Sequence, residues 1–142
     1  MKILTLGLLL ALLSVLYAGD SQPCSRVVHL ESPQYPEVAR QARIQGTVKA
    51  TVRLSAAGQG TVVEATGASP LLTREAENNL KKWVFVPGTQ ERLQVDYEFR
   101  LEGPEVGHVP QPIVSFDLPN KVLIVSHPPV PIKDFVIVPQ KH

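Results

Sequence analysis

The chain has 142 residues, 14 lysines and arginines against 13 aspartates and glutamates, a formal charge of +1 and 44% hydrophobic residues. Charges of both signs are interspersed, so nothing marks it as a nucleic-acid binder. A lone cysteine, Cys24, excludes an internal disulfide, and the fold must hold by packing alone.

Lys2 opens the chain, Ile3 to Tyr17 run apolar with little interruption, and "LYAGD" follows with Ala18 before a plausible cut. That is the layout of a secretory signal. A helix of this length spans about 24 Å, short of the roughly 30 Å hydrocarbon core. A signal peptide over residues 1–18 and a retained short membrane anchor are the two readings, and either one exports the chain. "SQPC" lacks the apolar and small residues expected before a lipidated cysteine. Residues 19–31 are polar and aperiodic and read as a leader, able to reach about 50 Å at roughly 3.5 Å per residue.

In "SPQYPEVARQARIQG", Pro36 suits the first turn of a helix. Val38, Ala39, Ala42 and Arg43 follow at helical spacing with Ile44 behind, which predicts two or three turns stopped by Gly46. The period then changes. Val48, Ala50, Val52 and Leu54 alternate with polar residues, "SAAGQG" turns the chain, and "TVVEAT" returns as the partner of a hairpin.

Ser69-Pro70 is a helix start, with serine as cap and proline as first helical residue. Leu72, Ala76, Leu80 and Trp83 form one apolar stripe, and Lys81 and Lys82 suit the negative end of the helix dipole. "VFVPG" closes the helix. Val95, Tyr97, Phe99 and Leu101 then alternate with Asp96, Glu98 and Arg100 as a third strand. The expected fold class is α+β: an antiparallel three-stranded sheet with both helices on one face, in the order α-β-β-α-β, over residues 32–102.

Residues 103–142 form a proline-rich tail that holds eight of the thirteen prolines. "IVSFDL" and "KVLIVS" flank Pro119-Asn120, which predicts a β-hairpin over 113–126. "HPPVPI" beyond it should run extended. Val122 to Val125 are too apolar for a solvated linker, so the tail must pack on something.

Chemistry is hard to find. Asp96 and Glu98 share a strand face, and a solvated sheet face accounts for them. His29, His108, His127 and His142 lack ligand spacing, no glycine-rich turn precedes a helix, and no serine sits in a nucleophile elbow. No catalytic residue, cofactor or metal is expected. A strand at 95–101 in a three-stranded sheet falls at or near an edge, which proteins cover, charge or use. Using it means accepting an extended peptide as an added strand.

The segments "PQYPEVARQARIQGTVKATVRLSAAGQGTV", "SPLLTREAENNLKKWVFVPG" and "VDYEFRL" together resemble the C-terminal domain of TonB energy transducers, over about Ser32 to Leu101. In that family the last strand and the segment around Tyr-Pro receive the short TonB box of an outer-membrane receptor. The resemblance therefore implies a peptide-binding site at Ser32, Pro33, Gln34, Tyr35 and Pro36, with Val95, Tyr97, Phe99 and Leu101 on the pairing strand. It implies structural roles for Ile44, Gly46, Trp83, Phe85 and Pro87. Ser32 departs from the family's glutamine, and the stretch between Val62 and Pro70 is about two residues short, which predicts a bulge or register change there.

The implied function is a periplasmic domain that binds a receptor's peptide by strand addition in TonB-dependent transport. The alternative is an envelope adaptor or self-associating module whose tail hairpin covers the sheet edge. Partners are then an outer-membrane TonB-dependent receptor, inner-membrane motor proteins if the N-terminal helix is retained, or a second copy as a homodimer. A leader of about 50 Å offers no rod long enough to relay force from the inner membrane alone.

Overall fold

The computed structural model describes residues 27–88, 92–118 and 120–132. The signal or anchor at 1–18, Cys24, Pro119, His142 and the end of the tail lie outside the described residues.

Alternation decides the central strands. In β2 (Gly46–Leu54), Val48, Ala50, Val52 and Leu54 are buried while Thr47, Lys49 and Arg53 are exposed. β3 (Gly60–Gly67) returns antiparallel, Val48 opposite Gly67 and Thr51 opposite Glu64. The register then slips, so that Val52 faces Val62 and Val63 is the extra residue of a bulge. This lies within the short stretch where the sequence called for a change of register. Gly58 in the connecting turn has φ +83°, and a Cβ there would sit 2.1 Å from the Phe85 carbonyl oxygen. Only glycine fits both the conformation and the approach.

Ser69 caps the second helix, its Oγ accepting from the Leu71 N–H at 3.2 Å, and Pro70 is the first residue of α2 (Pro70–Leu80). The expected stripe is buried in full at Leu72, Ala76, Leu80 and Trp83. α2 packs over β2 and β3.

The first helix is shorter than expected. α1 spans Glu37–Gln41, and Val38 is exposed while Ala39 is buried. The stop is Arg43 rather than Gly46. Arg43 takes a left-handed φ of 55°, its N–H donates to the Arg40 carbonyl, and the Ile44 N–H donates to the Ala39 carbonyl. This is the double-bonded helix end usually built on glycine, here carrying arginine. Gly46, at φ +144°, instead begins β2 where a Cβ would lie 2.8 Å from that of Ala68.

The leader also contributes structure. β1 (Val27–His29) pairs antiparallel with β4 (Val84–Phe85) as a small second sheet. Three residues are too few to show a period, which is why the sequence reads as featureless there.

The main sheet corrects the expected architecture. β5 (Arg92–Leu101) pairs antiparallel with β2, Tyr97 opposite Val48 and Val95 opposite Ala50. The tail does form the hairpin, as β6 (Ile113–Asp117) and β7 (Lys121–Ser126), but it joins the sheet. Among the described residues the order is β3-β2-β5-β7-β6, five strands with one parallel pair, β5 and β7, in place of three antiparallel strands. The cause is burial: Val122 and Ile124 lie opposite Tyr97 and Phe99 and are fully buried with them. A parallel neighbour needs a long crossover, and residues 102–120, with β6 inside them, supply it. "HPPVPI" continues from β7 and bonds back to Val106, whose N–H donates to the Pro128 carbonyl at 3.1 Å.

Candidate peptide-docking surface

The segment 32–36 enters α1 across the end of α2 and is tied down at each step. The Glu31 carbonyl accepts from Asn79 Nδ2 at 2.7 Å, and the Glu31 carboxylate pairs with Lys82 at 2.8 Å. The Gln34 N–H donates to the Glu75 carboxylate at 2.8 Å. The Tyr35 hydroxyl donates to the Ile44 carbonyl at 2.7 Å, and its ring meets Phe99 edge-on with centroids 5.5 Å apart. Pro33 and Tyr35 therefore point into the core, Ser32 and Gln34 are exposed, and Pro36 is half-buried. What this segment shows to a partner is Ser32, Gln34 and one edge of Pro36.

Asn79 is the residue that sequence reasoning missed. It is 3% exposed, and its Oδ1 accepts from Trp83 Nε1 and from the Tyr97 hydroxyl, both at 3.0 Å. With Nδ2 on Glu31, one amide joins the leader, α2 and β5. Its position, three after Ala76 and four before Trp83, falls within the apolar stripe. A polar residue inside such a stripe is the signal that could have found it.

β5 is not at an edge. Val95, Tyr97 and Phe99 are fully buried, and Leu101 is half-buried with its N–H bonded to Gln45 Oε1 at 2.6 Å. From Asp96 to Phe99 the strand has β2 on one side and β7 on the other, and β7 continues beside it to Leu101. The Asp96 N–H donates to the Asn120 carbonyl at 2.7 Å and the Glu102 N–H to the Ser126 carbonyl at 2.9 Å. Between Asp96 and Phe99 no rim is therefore open in this form of the protein. On the outer face Glu98 takes hydrogen bonds from Arg100 and from Lys121 of β7, and these hold its carboxyl below the usual carboxylate range. Asp96 accepts from Gln94 at 2.8 Å, so the two acids are separately engaged.

The residues to which the resemblance gives structural roles lie in different surroundings. Trp83 is 1% exposed, with ring centroids 6.1–6.3 Å from those of Phe85, Tyr97 and Phe116. Phe85 is buried and its N–H donates to the Gly58 carbonyl, which pins β4 to the β2–β3 turn. Pro87 is exposed and Ile44 half-buried, packed on the core.

Burial pushes the Tyr35 hydroxyl up to about 12, and it raises Tyr97 as well. A phenol whose folded value exceeds its unfolded value of about 10 contributes stability that is complete below pH 10. That stability is lost as the pH rises through the folded value. Stability should therefore decline above about pH 10, with phenolate absorbance appearing together with unfolding. A phenolate signal in a still-folded protein would mean that the rings are open to water.

Among the described residues no helix is long and apolar enough to cross a membrane. A family model described as Gram-negative bacterial TonB protein C-terminal matches residues 31–102, just over half of the chain. Protein TonB of Salmonella typhimurium strain LT2 is 35% identical over 81 residues, which are 55% of this chain and 34% of that protein. The matched part thus corresponds to about a third of the relative's length.

Proposed function

The chain belongs to the family of TonB C-terminal domains, and from that premise we propose that it serves TonB-dependent transport as an exported, periplasmic module. Its β5 edge is a strand-accepting site, and the strand it holds in this form is its own β7. One observation carries the reading: the edge to which the family resemblance assigns a receptor's TonB box is paired with an added strand from Asp96 to Leu101. An extended receptor segment and the tail hairpin then compete for one row of backbone groups.

A second reading has its own support. Val122 and Ile124 are as buried as any core residue, which favours an adaptor whose hairpin closes the edge permanently. Removing residues 104–142 separates the two. The cut leaves the family-matched unit, and Trp83 fluorescence and circular dichroism report whether it stays folded. The expected result is that a synthetic TonB-box peptide binds the folded truncated protein and is refused by the full chain. Equal binding by both would reject the competition. Refusal by both would remove receptor docking at β5 and leave the adaptor.

A further inference from the structure

We propose that β6 is a pairing surface for a second copy of this chain, joined antiparallel and symmetric about Ser115. Among the described residues the main sheet ends in two strands, β3 and β6. β3 is blunted by its bulge at Val63 and by glycines at both ends. β6, "IVSFD", has no bulge, no lysine and no proline, and its one charge is the terminal Asp117. Among the described residues no strand pairs with its outer side.

The hydrogen-bond direction along this edge follows from bonds already described. The carbonyls of Asn120, just before β7, and of Ser126 at its end face β5, so Lys121, Leu123 and Val125 turn their backbone groups toward β6. Their partners there are Asp117, Ser115 and Ile113. By alternation, Val114 and Phe116 turn their N–H and C=O groups outward.

Those two positions are symmetric about Ser115. A two-fold axis at Ser115 sets Val114 opposite Phe116 of the second copy, and Phe116 opposite its Val114, and each pair exchanges both backbone bonds. The half-buried side chains of Val114 and Phe116 then cover one another on the helix-bearing face. On the other face Asp117 lies across from Ile113, which is 70% exposed, and no like charges are opposed. A two-residue slip toward the N-terminus would bring Pro112, which has no N–H, into a bonded place. The edge therefore favours its own sequence in one register over an arbitrary extended peptide. A contact of one short strand is small, so exchange between single and paired chains should be rapid.

The test is the mass of the exported protein by sedimentation as concentration is raised, with four variants. The expected mass doubles at high concentration. Ser115→Lys, at an exposed site whose side chain makes no hydrogen bond among the described residues, should hold the protein single by opposing two ammonium groups. Val114→Pro removes an outward N–H and leaves the β6–β7 ladder intact, a place where an edge strand tolerates proline, and it too should hold the protein single. Ser115→Cys, in a Cys24→Ser background, should cross-link under mild oxidation, since symmetric pairing sets the two Cα atoms about 4.5 Å apart. Ile113→Cys should not cross-link. A single-chain mass at every concentration overturns the proposal. So does a dimer that survives Ser115→Lys while Ser115→Cys fails to cross-link, or a receptor-derived peptide bound along β6 of a protein that stays single.

Discussion

Trp83→Ala is expected to cost about 3–5 kcal/mol, the range for truncating a fully buried aromatic ring. The ring is 1% exposed and touches elements from three parts of the chain: Phe85 of β4, Tyr97 of β5 and Phe116 of the tail hairpin. Its removal leaves a cavity at their meeting point, and the fixed sheet on one side limits how far α2 can relax to fill it. A domain of this size has on the order of 5–15 kcal/mol in total, so the melting temperature should fall by tens of degrees. Calorimetry checks this. Trp83→Phe keeps most of the volume and should lose much less. A Trp83→Ala protein that melts like the wild type would mean that the ring does not occupy the junction described here. Because Phe116 is among the contacts, the variant should also loosen β6, seen as faster amide exchange across Ile113–Asp117.

The position of Trp83 was legible because its stripe depends only on helical period. Leu72, Ala76 and Leu80 all face inward, as spacing four, four and three requires. The same reasoning overran in α1, where Val38 and Ala42 fit the period but lie outside the core, Val38 being 62% exposed. The helix ends at Arg43, whose left-handed backbone no propensity would assign to arginine; its guanidinium pairs with Glu105 and reaches the Pro129 carbonyl at 3.4 Å. Those contacts come from the tail, 62 and 86 residues onward, and no local pattern reveals them. The sheet shows the same limit. Alternation in "VDYEFRL" correctly gave one buried face, yet it carries no information on what lies beside the strand. The apolar run from Val122 to Val125 required a packing partner, and the structure identifies it as β5. Of the implied binding residues, Pro33, Tyr35, Val95, Tyr97 and Phe99 are core. Ser32 and Gln34 remain exposed.

Asn79→Ala should be the most damaging polar substitution, at about 3–5 kcal/mol. The side chain leaves behind three groups: the Trp83 indole N–H, the Tyr97 hydroxyl and the Glu31 carbonyl. The first two are buried, and an abandoned buried donor costs roughly 1–3 kcal/mol. The third lies near the surface, where water can replace the amide at lower cost. The loss should also have a direction. Without Nδ2 the polar ties of this segment to α2 and the residues just after it are, among the described residues, the exposed Glu31–Lys82 pair and the Gln34 bond to Glu75. Exchange at the Gln34 amide should accelerate well beyond the global loss of stability. Lys82→Ala, which removes an exposed pair, should leave that amide nearly unchanged. Asn79→Asp separates the two functions of the amide, because it keeps an acceptor for Trp83 and Tyr97 but cannot donate to Glu31. A double-mutant cycle with Trp83→Phe isolates the network. If one amide serves both donors and the leader, the two substitutions should couple by about 1 kcal/mol or more. Strict additivity would show that the leader and the aromatic junction are held independently.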